Sequence, residues 1–172
     1  MGYIDDATGE VFACFTDYEG TIPALDGFYG YVQKQGVPHS VYVDCHQTYR
    51  VNKREATLEE QLAGKEPQSA FAQALERLGV QVMHAYSPQA KGRIERFFRT
   101  AQDRFVKQMR LAGVETKEEA NRYVEKYLME HNPKFARVAR EEADWHRPLP
   151  QGINLQLILC VVHQRTLKGD KW

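Results

Sequence analysis

The sequence predicts an α/β protein in which a mixed β-sheet is flanked by helices. Four segments rich in β-branched and aromatic residues are predicted strands, at 3–6, 11–18, 40–43 and 80–85. Four segments with the apolar periodicity of one-sided helices lie at 22–35, 69–78, 89–111 and 116–130. With 42% hydrophobic and 27% charged residues, the 172-residue chain suits one globular domain with a short appendage.

The first two predicted strands form a hairpin. Residues 7–10 (ATGE) lie between them and contain Gly9, which is typical of a tight turn. The helix that follows, at 22–35, places Leu25, Phe28 and Val32 on one face and ends before a glycine. These elements predict two antiparallel strands followed by an amphipathic helix.

The middle of the chain combines short elements with a polar segment. A strand is predicted at 40–43, and Asp44 follows it directly. The polar stretch 50–68 predicts an irregular surface excursion with a short helix around 57–63. Capping signals mark the starts of two later helices: Ser69 precedes one, and Thr116 with Glu119 matches a capping box.

The helix predicted at 89–111 carries Glu95 among many basic residues. At about 100° per residue, its buried stripe consists of Ile94, Phe98, Ala101, Phe105 and Met109. Glu95 falls at the edge of that stripe. The basic residues make this the most positive segment of the chain, suited to a phosphate backbone: Lys91, Arg93, Arg96, Arg99, Arg104, Lys107 and Arg110. The alternative is that Glu95 forms ordinary surface ion pairs with Lys91 and Arg99.

Asp44 is the second acidic candidate, because it follows a short apolar strand. Functional residues of α/β folds gather at the carboxyl ends of strands, where the chain leaves the sheet. Carboxylates from a strand end and from a neighbouring helix can hold hard divalent cations such as Mg²⁺, which prefer oxygen ligands. The alternative is a turn-forming or capping role for Asp44. His46, two residues later, is a further candidate metal ligand.

Charge and cysteine content exclude several classes of protein. The 23 basic and 23 acidic residues cancel, so any attraction to nucleic acid depends on how charge is distributed. Cys14, Cys45 and Cys160 form no Cys-x-x-Cys motif, and the six histidines show no zinc spacing. We therefore expect no disulfide framework, no zinc knuckle and a reducing cytoplasm. No apolar run approaches the roughly 18 residues of a membrane span, so we expect no membrane partner.

Three segments carry a resemblance to a known family. They are YIDDATGE at 3–10, YVDCHQTYR at 42–50 and SPQAKGRIER at 87–96. In this order they resemble the integrase-like catalytic core of bacterial insertion-sequence transposases, and they are similar to retroviral integrase cores. The likeness runs from residue 3 to about 135, and Pro-Gln-x-x-Gly-x-x-Glu is a specific signature within it.

The resemblance implies a ribonuclease-H-like fold and DNA joining by the DDE mechanism. Asp44 matches the second acidic residue of the family pattern and Glu95 the third, so both are implied ligands of Mg²⁺ or Mn²⁺. The implied DNA contacts, by matched position or by charge, are Gln89, Lys91, Arg93, Arg96 and Arg99. The implied partners are transposon ends and target DNA, bound by a homo-oligomer in the bacterial cytoplasm.

The family pattern has three carboxylates, and only two are matched in this sequence. In the relatives the first aspartate lies on a central strand that precedes the segment matched at 3–6, so its counterpart falls upstream of Met1. Asp5 and Asp6 are candidate substitutes, although strand alternation lets only one of them face a given side, and Asp17 is a more remote one. We therefore expect the sheet to lack its central strand, leaving a seam that is exposed, self-paired or filled by another segment, and we expect impaired activity.

These expectations divide the chain into three parts. Residues 1–140 are assigned to the catalytic core, 141–152 to a linker and 153–172 to the start of a small β domain. The predicted function is DNA transposition or integration by metal-dependent phosphoryl transfer. Two alternatives stay open: a non-catalytic DNA-binding or regulatory fragment of a transposase, and a ribonuclease-H-like nuclease that acts on another nucleic acid.

Overall fold

The computed structural model describes residues 1–51, 61–62, 64, 67–86 and 88–163, with the backbone alone for 88–91. Its strands are β1 (Gly2–Ile4), β2 (Val11–Ala13), β3 (Val37–Pro38), β4 (Ser40–Val43), β5 (Gln81–His84) and β6 (His146–Arg147). Its helices are α1 (Thr21–Gln35), α2 (Ala70–Arg77), α3 (Pro88–Leu111), α4 (Lys117–Phe135) and α5 (Leu155–Ile158). No helix in this part of the chain is long and apolar enough to cross a membrane. In the predicted excursion at 50–68, residues 52–60, 63, 65 and 66 lie outside the described residues. Of the short helix expected around 57–63, residues 61 and 62 are described and are helical.

β1 and β2 form the predicted hairpin. They are antiparallel, with Tyr3 opposite Phe12. The Asp5 amide donates to the Glu10 carbonyl and the Gly9 amide donates to the Asp5 carbonyl, both at 2.8 Å. Gly9 has a φ of +77°, a left-handed conformation that glycine adopts without steric cost. The glycine turn predicted from the sequence is therefore confirmed.

β4 and β5 form a parallel pair, with Val43 opposite His84. The Ala85 amide, just past β5, donates to the Val43 carbonyl at 2.8 Å, so the pairing extends to the very end of β4. Parallel strands need a long crossover connection, and this one includes α2. The carboxyl ends of the two strands consequently lie side by side, with Asp44 directly after β4.

The six strands make three two-stranded sheets, β1–β2, β3–β6 and β4–β5. One apolar core connects them to α1 and α2. Its buried side chains include Phe28, Val32, Val37, Val43, Phe71 and Leu75. Tyr3 and Phe12 of the hairpin pack against the same core. The described residues thus form an α/β arrangement without a five-stranded sheet, and the ribonuclease-H-like topology stays a prediction.

β1 and β4 each have an edge that pairs with no other strand in the described residues. In β1, alternate residues bond to β2, which leaves the main-chain groups of Gly2 and Ile4 facing the opposite edge. In β4, the main-chain groups of Ser40 and Tyr42 face away from β5 in the same manner. Open strand edges can pair with a further strand. The seam expected from a missing central strand would lie at these edges.

A second apolar core lies where α3 contacts α4 and the hairpin. Its buried residues are Val11, Phe97, Ala101, Phe105, Val124 and Leu128. Ala101 and Phe105 confirm the predicted stripe of α3, whereas Phe97, which the prediction omitted, is 7% exposed. The other predicted members are half-buried: Ile94, Phe98 and Met109. The stripe is displaced because α4 covers the Phe97 side of the helix, a contact that periodicity alone does not contain.

α4 begins with the predicted capping box. Thr116 Oγ1 accepts the Glu119 amide at 3.2 Å, and the Glu119 carboxylate accepts the Thr116 amide at 3.1 Å. The helix continues to Phe135, past the predicted end at residue 130. It also lies along the outer edge of β2, where the side chains of Asn121 and Asn132 bond to the main chain of the strand and its extension.

The last described residues return to the first core. β6 pairs with β3, so part of the predicted linker is a strand. Residues 155–158, where the sequence predicts an opening strand of a β domain, form α5 instead, and Leu155 and Leu159 are both buried. Residues 164–172 of that predicted domain lie outside the described residues. Residues four apart lie on one face of a helical turn, which explains how both leucines reach the core. Arg77 of α2 donates to the carbonyls of Ile158 and Cys160 at 2.8 and 2.7 Å. The domain boundaries themselves stay predictions.

Candidate active site

Asp44 lies where the sequence predicts it, directly after β4. Its Oδ1 accepts the main-chain N–H of His46 at 3.0 Å, which fixes the start of the following turn. Burial, and after it the negative charge of Asp44, raises the pKa of Tyr49 to about 12. The carboxylate therefore lies within electrostatic range of that phenol. Asp44 makes the turn contact of the alternative interpretation and also stands at the end of a parallel strand.

Glu95 lies two turns into α3 and is exposed to solvent. The sequence places it at the edge of the buried stripe, and this expectation is wrong in degree. The stripe is displaced toward the buried Phe97. At about 100° of rotation per residue around the helix axis, Phe97 and Glu95 lie on opposite sides of Ile94. The carboxylate is consequently open to a ligand approaching from solvent.

The start of β1 lies between the loop after β4 and helix α3. In that loop, the Tyr49 hydroxyl donates to Met1 Sδ at 3.4 Å. On the other side, a Cβ placed on Gly2 would lie 2.7 Å from the Phe98 ring and 3.6 Å from Ile94 Cδ1. A residue larger than glycine would force the Phe98 ring to move. The two elements that carry the candidate carboxylates therefore converge on the first residues of β1.

The donor set fits a hard divalent cation in its chemistry. Mg²⁺ is commonly held by one or two protein carboxylates and keeps several waters, so the oxygens of Asp44 and Glu95 are suitable ligands. Within the ranges that the structure describes, no group of three His, Cys, Asp or Glu side chains comes together to hold a metal. The assignment of Asp44 and Glu95 as metal ligands therefore stays a prediction.

A further acidic residue, Glu19, lies beside His46 in the turn that follows Asp44, and the sequence analysis did not single it out. Its Oε1 is 3.7 Å from His46 Nδ1, and its negative charge also contributes to the raised pKa of Tyr49. Glu19 precedes α1 and lies far from Asp44 along the chain, so no local spacing could have indicated the proximity. His46, a candidate ligand from sequence, contacts both carboxylates. Its main-chain N–H donates to Asp44 Oδ1, and its ring nitrogen Nδ1 lies 3.7 Å from Glu19 Oε1.

The three aspartates considered as substitutes for the missing carboxylate have other partners. Asp5 caps the hairpin turn, where its Oδ2 accepts the Thr8 amide at 2.9 Å. Asp6 forms an ion pair with Arg93 at 2.8 Å and is otherwise largely exposed. Asp17 pairs with a lysine of α4 at 2.6 Å. These contacts account for the three side chains without a metal.

The exposed face of α3 carries two of the predicted DNA contacts. Arg96 and Arg99 are both exposed, and Arg96 Nε also donates to the Gly92 carbonyl of its own helix at 3.1 Å. Arg93 differs, because its guanidinium pairs with the Asp6 carboxylate and also donates to the Asp6 carbonyl. Arg93 therefore connects α3 to the hairpin turn, a role that its charge alone did not indicate.

The remaining cations extend along the same helix. Gln89 and Lys91 occupy its first turn, and their side chains lie outside the described residues. Farther along, three exposed basic residues continue the face: Arg104, Lys107 and Arg110. Lys107 forms an ion pair with Asp103, one helical turn away, at a distance of 2.6 Å. The helix thus presents several positive charges to solvent along more than half its length.

Comparison with known proteins relates the chain to insertion-sequence transposases. Over 165 residues, 95% of this chain and 35% of the relative, it is 33% identical to the transposase y4bF of Sinorhizobium fredii. Over 158 residues, 90% of this chain and 32% of the relative, it is 27% identical to the transposase for insertion sequence IS1202 of Streptococcus pneumoniae. The chain spans about a third of the length of these two relatives. No family model matches it, and no solved structure gives a significant match.

Proposed function

We propose that this chain is part of the catalytic core of an insertion-sequence transposase, an integrase-like enzyme that joins DNA by metal-dependent phosphoryl transfer. The similarity to two proteins named transposases, over at least 90% of the chain, supports the DNA-transposing class. The observation that carries the chemistry is the convergence of the loop after β4 and helix α3 on the start of β1. It brings together the elements that bear Asp44 and Glu95.

Asp44 and Glu95 would hold Mg²⁺ or Mn²⁺. When bound, such ions activate the attacking oxygen and stabilise the leaving oxygen of an in-line displacement at phosphorus. The protein contributes orientation: the His46 amide fixes the Asp44 carboxylate, and the rigid backbone of α3 carries Glu95. Ligands held before the substrate arrives avoid reorganisation during the reaction.

The DNA would lie along the exposed face of α3. Arg96 and Arg99 are three residues apart and therefore neighbours on that face, where both can reach successive phosphates. Arginine suits this task because its planar guanidinium forms paired hydrogen bonds with phosphate oxygens. The first-turn residues Gln89 and Lys91 would contact the DNA nearest the carboxylates. Because the chain has no net charge, this local excess of positive charge supplies the attraction.

Full activity would require residues beyond these 172. Only two carboxylates of the family pattern are present, and the open edges of β1 and β4 are where a central strand of a ribonuclease-H-like sheet would pair. We propose that a segment outside these 172 residues supplies that strand together with the third carboxylate, and that the enzyme works as a homo-oligomer. The chain by itself would then bind DNA but transfer strands weakly.

Titration with Mn²⁺, followed by the loss of its free electron paramagnetic resonance signal, tests the metal assignment. Asp44→Asn and Glu95→Gln should each weaken Mn²⁺ binding by at least about tenfold, since even a residue that only supports a ligand costs roughly 10- to 100-fold when lost. Glu118→Gln, an exposed carboxylate in the first turn of α4, is the control and should bind as the wild type does. Unchanged binding in both site variants contradicts the proposal.

A non-catalytic DNA-binding or regulatory fragment is the second candidate function. It is favoured by the finding that no three ligand side chains meet in the described part of the chain. DNA binding that survives in a protein unable to bind Mn²⁺ would support it. A nuclease of the same fold would nick DNA in Mg²⁺ without joining strands. Strong Mg²⁺-dependent strand transfer by this chain alone would contradict the impairment that we propose.

A further inference from the structure

Three ring side chains line one face of α4 at intervals of four residues: Tyr127, His131 and Phe135. The Tyr127 and His131 rings are stacked, with centroids 5.3 Å apart and planes 25° apart. The Phe135 ring follows, 4.6 Å from that of His131, with planes 37° apart. Residues four apart are neighbours on a helix surface, so the three rings form one continuous row, the aromatic ladder. Neither the candidate active site nor the proposed DNA contacts include it.

The two inner rings of the aromatic ladder are covered, whereas the last is open. Phe97 of α3 packs edge-on against the His131 ring at 5.7 Å, and Tyr127 packs against the second apolar core. Phe135 is the last residue of α4 and is 62% exposed. One side of the Phe135 ring therefore meets His131, and much of the remainder is open to a further planar group.

Basic residues flank the open end of the aromatic ladder. Three of them are exposed and close to Phe135 along the chain: Lys134, Arg137 and Arg140. The acidic residues nearest to Phe135 along the chain are Glu130 and Glu141. The C-terminus of a helix carries a partial negative charge, equivalent to about half an elementary charge, and three cationic side chains exceed it. Positive charge therefore predominates where α4 ends.

The end of α4 is held in place by main-chain contacts. The Arg137 amide donates to the Thr8 carbonyl of the hairpin turn at 2.8 Å, which fixes the backbone just past Phe135. Within the last turn of the helix, the Asn132 side chain bonds to the main chain of β2. The ring and its neighbouring cations are thus carried by a fixed backbone, so less conformational entropy is lost when a ligand binds.

The aromatic ladder and Glu95 lie on different sides of α3. Phe97, which contacts the ladder, is two residues from Glu95 and therefore about 160° away around the helix axis, at about 100° per residue. Arg104 lies within electrostatic range of the ladder, because its positive charge contributes to the lowered pKa of His131. A ligand at the open end of the ladder would therefore bind away from the candidate metal ligands.

An exposed ring among cations fits a single-stranded nucleic acid. Such strands bind by stacking bases on aromatic side chains while basic residues follow the phosphates. Paired bases in a duplex present their edges in the grooves, so a duplex offers no free base face to the ring. A protein partner fits less well, since an interface centred on Phe135 would cover Lys134 and Arg137, and charged residues are depleted from the cores of protein interfaces.

We infer that the open end of the aromatic ladder binds single-stranded DNA: one base stacks on Phe135, and Lys134 and Arg137 contact the adjacent phosphates. This site goes beyond the proposed function, because it uses neither Asp44 nor Glu95 and needs no metal. It also uses none of the residues proposed to hold duplex DNA. The two proposals can therefore fail independently.

Fluorescence anisotropy with a labelled oligothymidine of about 12 nucleotides, within the usual site size, tests the inference. Phe135→Ala should weaken binding about fivefold or more, the lower range for stacking one base. Trp145→Ala, which removes a ring of similar exposure elsewhere on the surface, should bind as the wild type does. Lys134→Gln and Arg137→Gln should each lower the slope of log affinity against log salt by about 0.7, as expected for one lost contact to a single strand.

Phe135→Trp reports the stacking directly. An indole stacks on a base as a phenyl ring does, so this variant should keep the affinity of the wild type, and its fluorescence should fall when the oligothymidine binds. The wild type, with Trp145 and Trp172, gives the background signal. Thermal unfolding shows whether Phe135→Ala is folded. If it is not, the tryptophan variant and the two cation variants decide the matter.

The inference is overturned if the wild type does not bind oligothymidine, if a folded Phe135→Ala binds it equally well, or if the Phe135→Trp fluorescence is unchanged. Self-association that Phe135→Ala abolishes, without oligothymidine binding, would make the occupant a second copy of the chain. Tighter binding of oligouridine would make it RNA. In either case the DNA inference is wrong. The proposed function is read separately, from Mn²⁺ binding and from duplex binding, which Arg99→Gln should weaken and Phe135→Ala should not.

Discussion

Asn132 bonds to both main-chain polar groups of Val11: its Nδ2 donates to the Val11 carbonyl at 2.9 Å, and its Oδ1 accepts the Val11 amide at 3.1 Å. Asn121, about three helical turns earlier, makes the same pair of bonds with Phe15, at 3.2 and 2.7 Å. The two side chains replace a neighbouring strand along the edge of β2. α4 therefore closes one edge of the hairpin, whereas the opposite edge, on β1, stays open.

Replacing Asn132 by alanine should lower the free energy of unfolding by about 1–3 kcal/mol, because two polar groups of Val11 in a half-buried position lose their partner. Urea denaturation measures the loss. Asn132→Asp should also destabilise, since a carboxylate oxygen would replace the donor that faces the Val11 carbonyl. Gln102→Ala, on the exposed face of α3, is the control. A change below about 0.5 kcal/mol in both variants would show that the edge bonds contribute little.

Amide hydrogen exchange should reveal the open edges of β1 and β4. No strand within the described ranges faces the Ile4 and Tyr42 amides, so they should exchange much faster than the Tyr3 and Val43 amides, which face β2 and β5. Each fast amide thus has a slow control beside it in the same strand. In a longer chain that supplies a central strand, Ile4 and Tyr42 should become protected. Equally slow exchange of all four amides in the 172-residue chain would mean that the edges are already paired.

His131 should make stability depend on pH. Its ring lies against Tyr127 and Phe135, with centroids 5.3 and 4.6 Å away. Burial, and then the positive charge of Arg104, lowers the pKa of His131 below its usual 6.5. Between the lowered value and 6.5 the unfolded chain binds more protons than the folded chain. Stability should therefore rise with pH through that window and be lost as the pH falls through it.

The test compares the pH dependence of urea unfolding in wild type and in His131→Phe. The phenylalanine variant should show a flatter dependence just below pH 6.5, because it has no group to protonate there. His39→Phe, which replaces an exposed histidine, is the control and should keep the slope of the wild type. An identical slope in wild type and His131→Phe would disprove the assignment.

Substitutions of Arg99 and Arg93 should have different effects, because Arg99 is proposed to contact DNA and Arg93 is bonded to the hairpin turn. Arg99→Gln should weaken binding to any DNA sequence and lower the slope of log affinity against log salt by about 1, as expected for one lost phosphate contact. Arg93→Gln breaks the exposed ion pair with Asp6, so it should cost about 0.2–1 kcal/mol of stability and change the salt slope less. Anisotropy titrations at several salt concentrations measure both. The same loss of slope in the two variants would place Arg93 on the DNA as well.

Several features followed from sequence because their causes lie within a few residues. The glycine turn at Gly9 depends on one backbone angle, and the capping box at Thr116 depends on a side chain three positions away. The strand that ends at Asp44 was equally local. Expectations about exposure were less accurate. Phe97 is buried and Glu95 exposed because α4 covers one side of α3, and no periodicity states which neighbour a helix will meet.

The sequence by itself determined the two strand pairs β1–β2 and β4–β5 as segments, the four longer helices, the turn and cap chemistry, and the two carboxylates that a transposase resemblance singles out, but not β3, β6 or α5. Tertiary structure alone decided their partners: Arg93 with Asp6 across 87 positions, Asn132 with Val11 across 121, and Glu19 beside His46. The reason is physical. Local conformation depends on neighbouring backbone atoms, whereas ion pairs and edge contacts depend on how separate elements pack around a shared core.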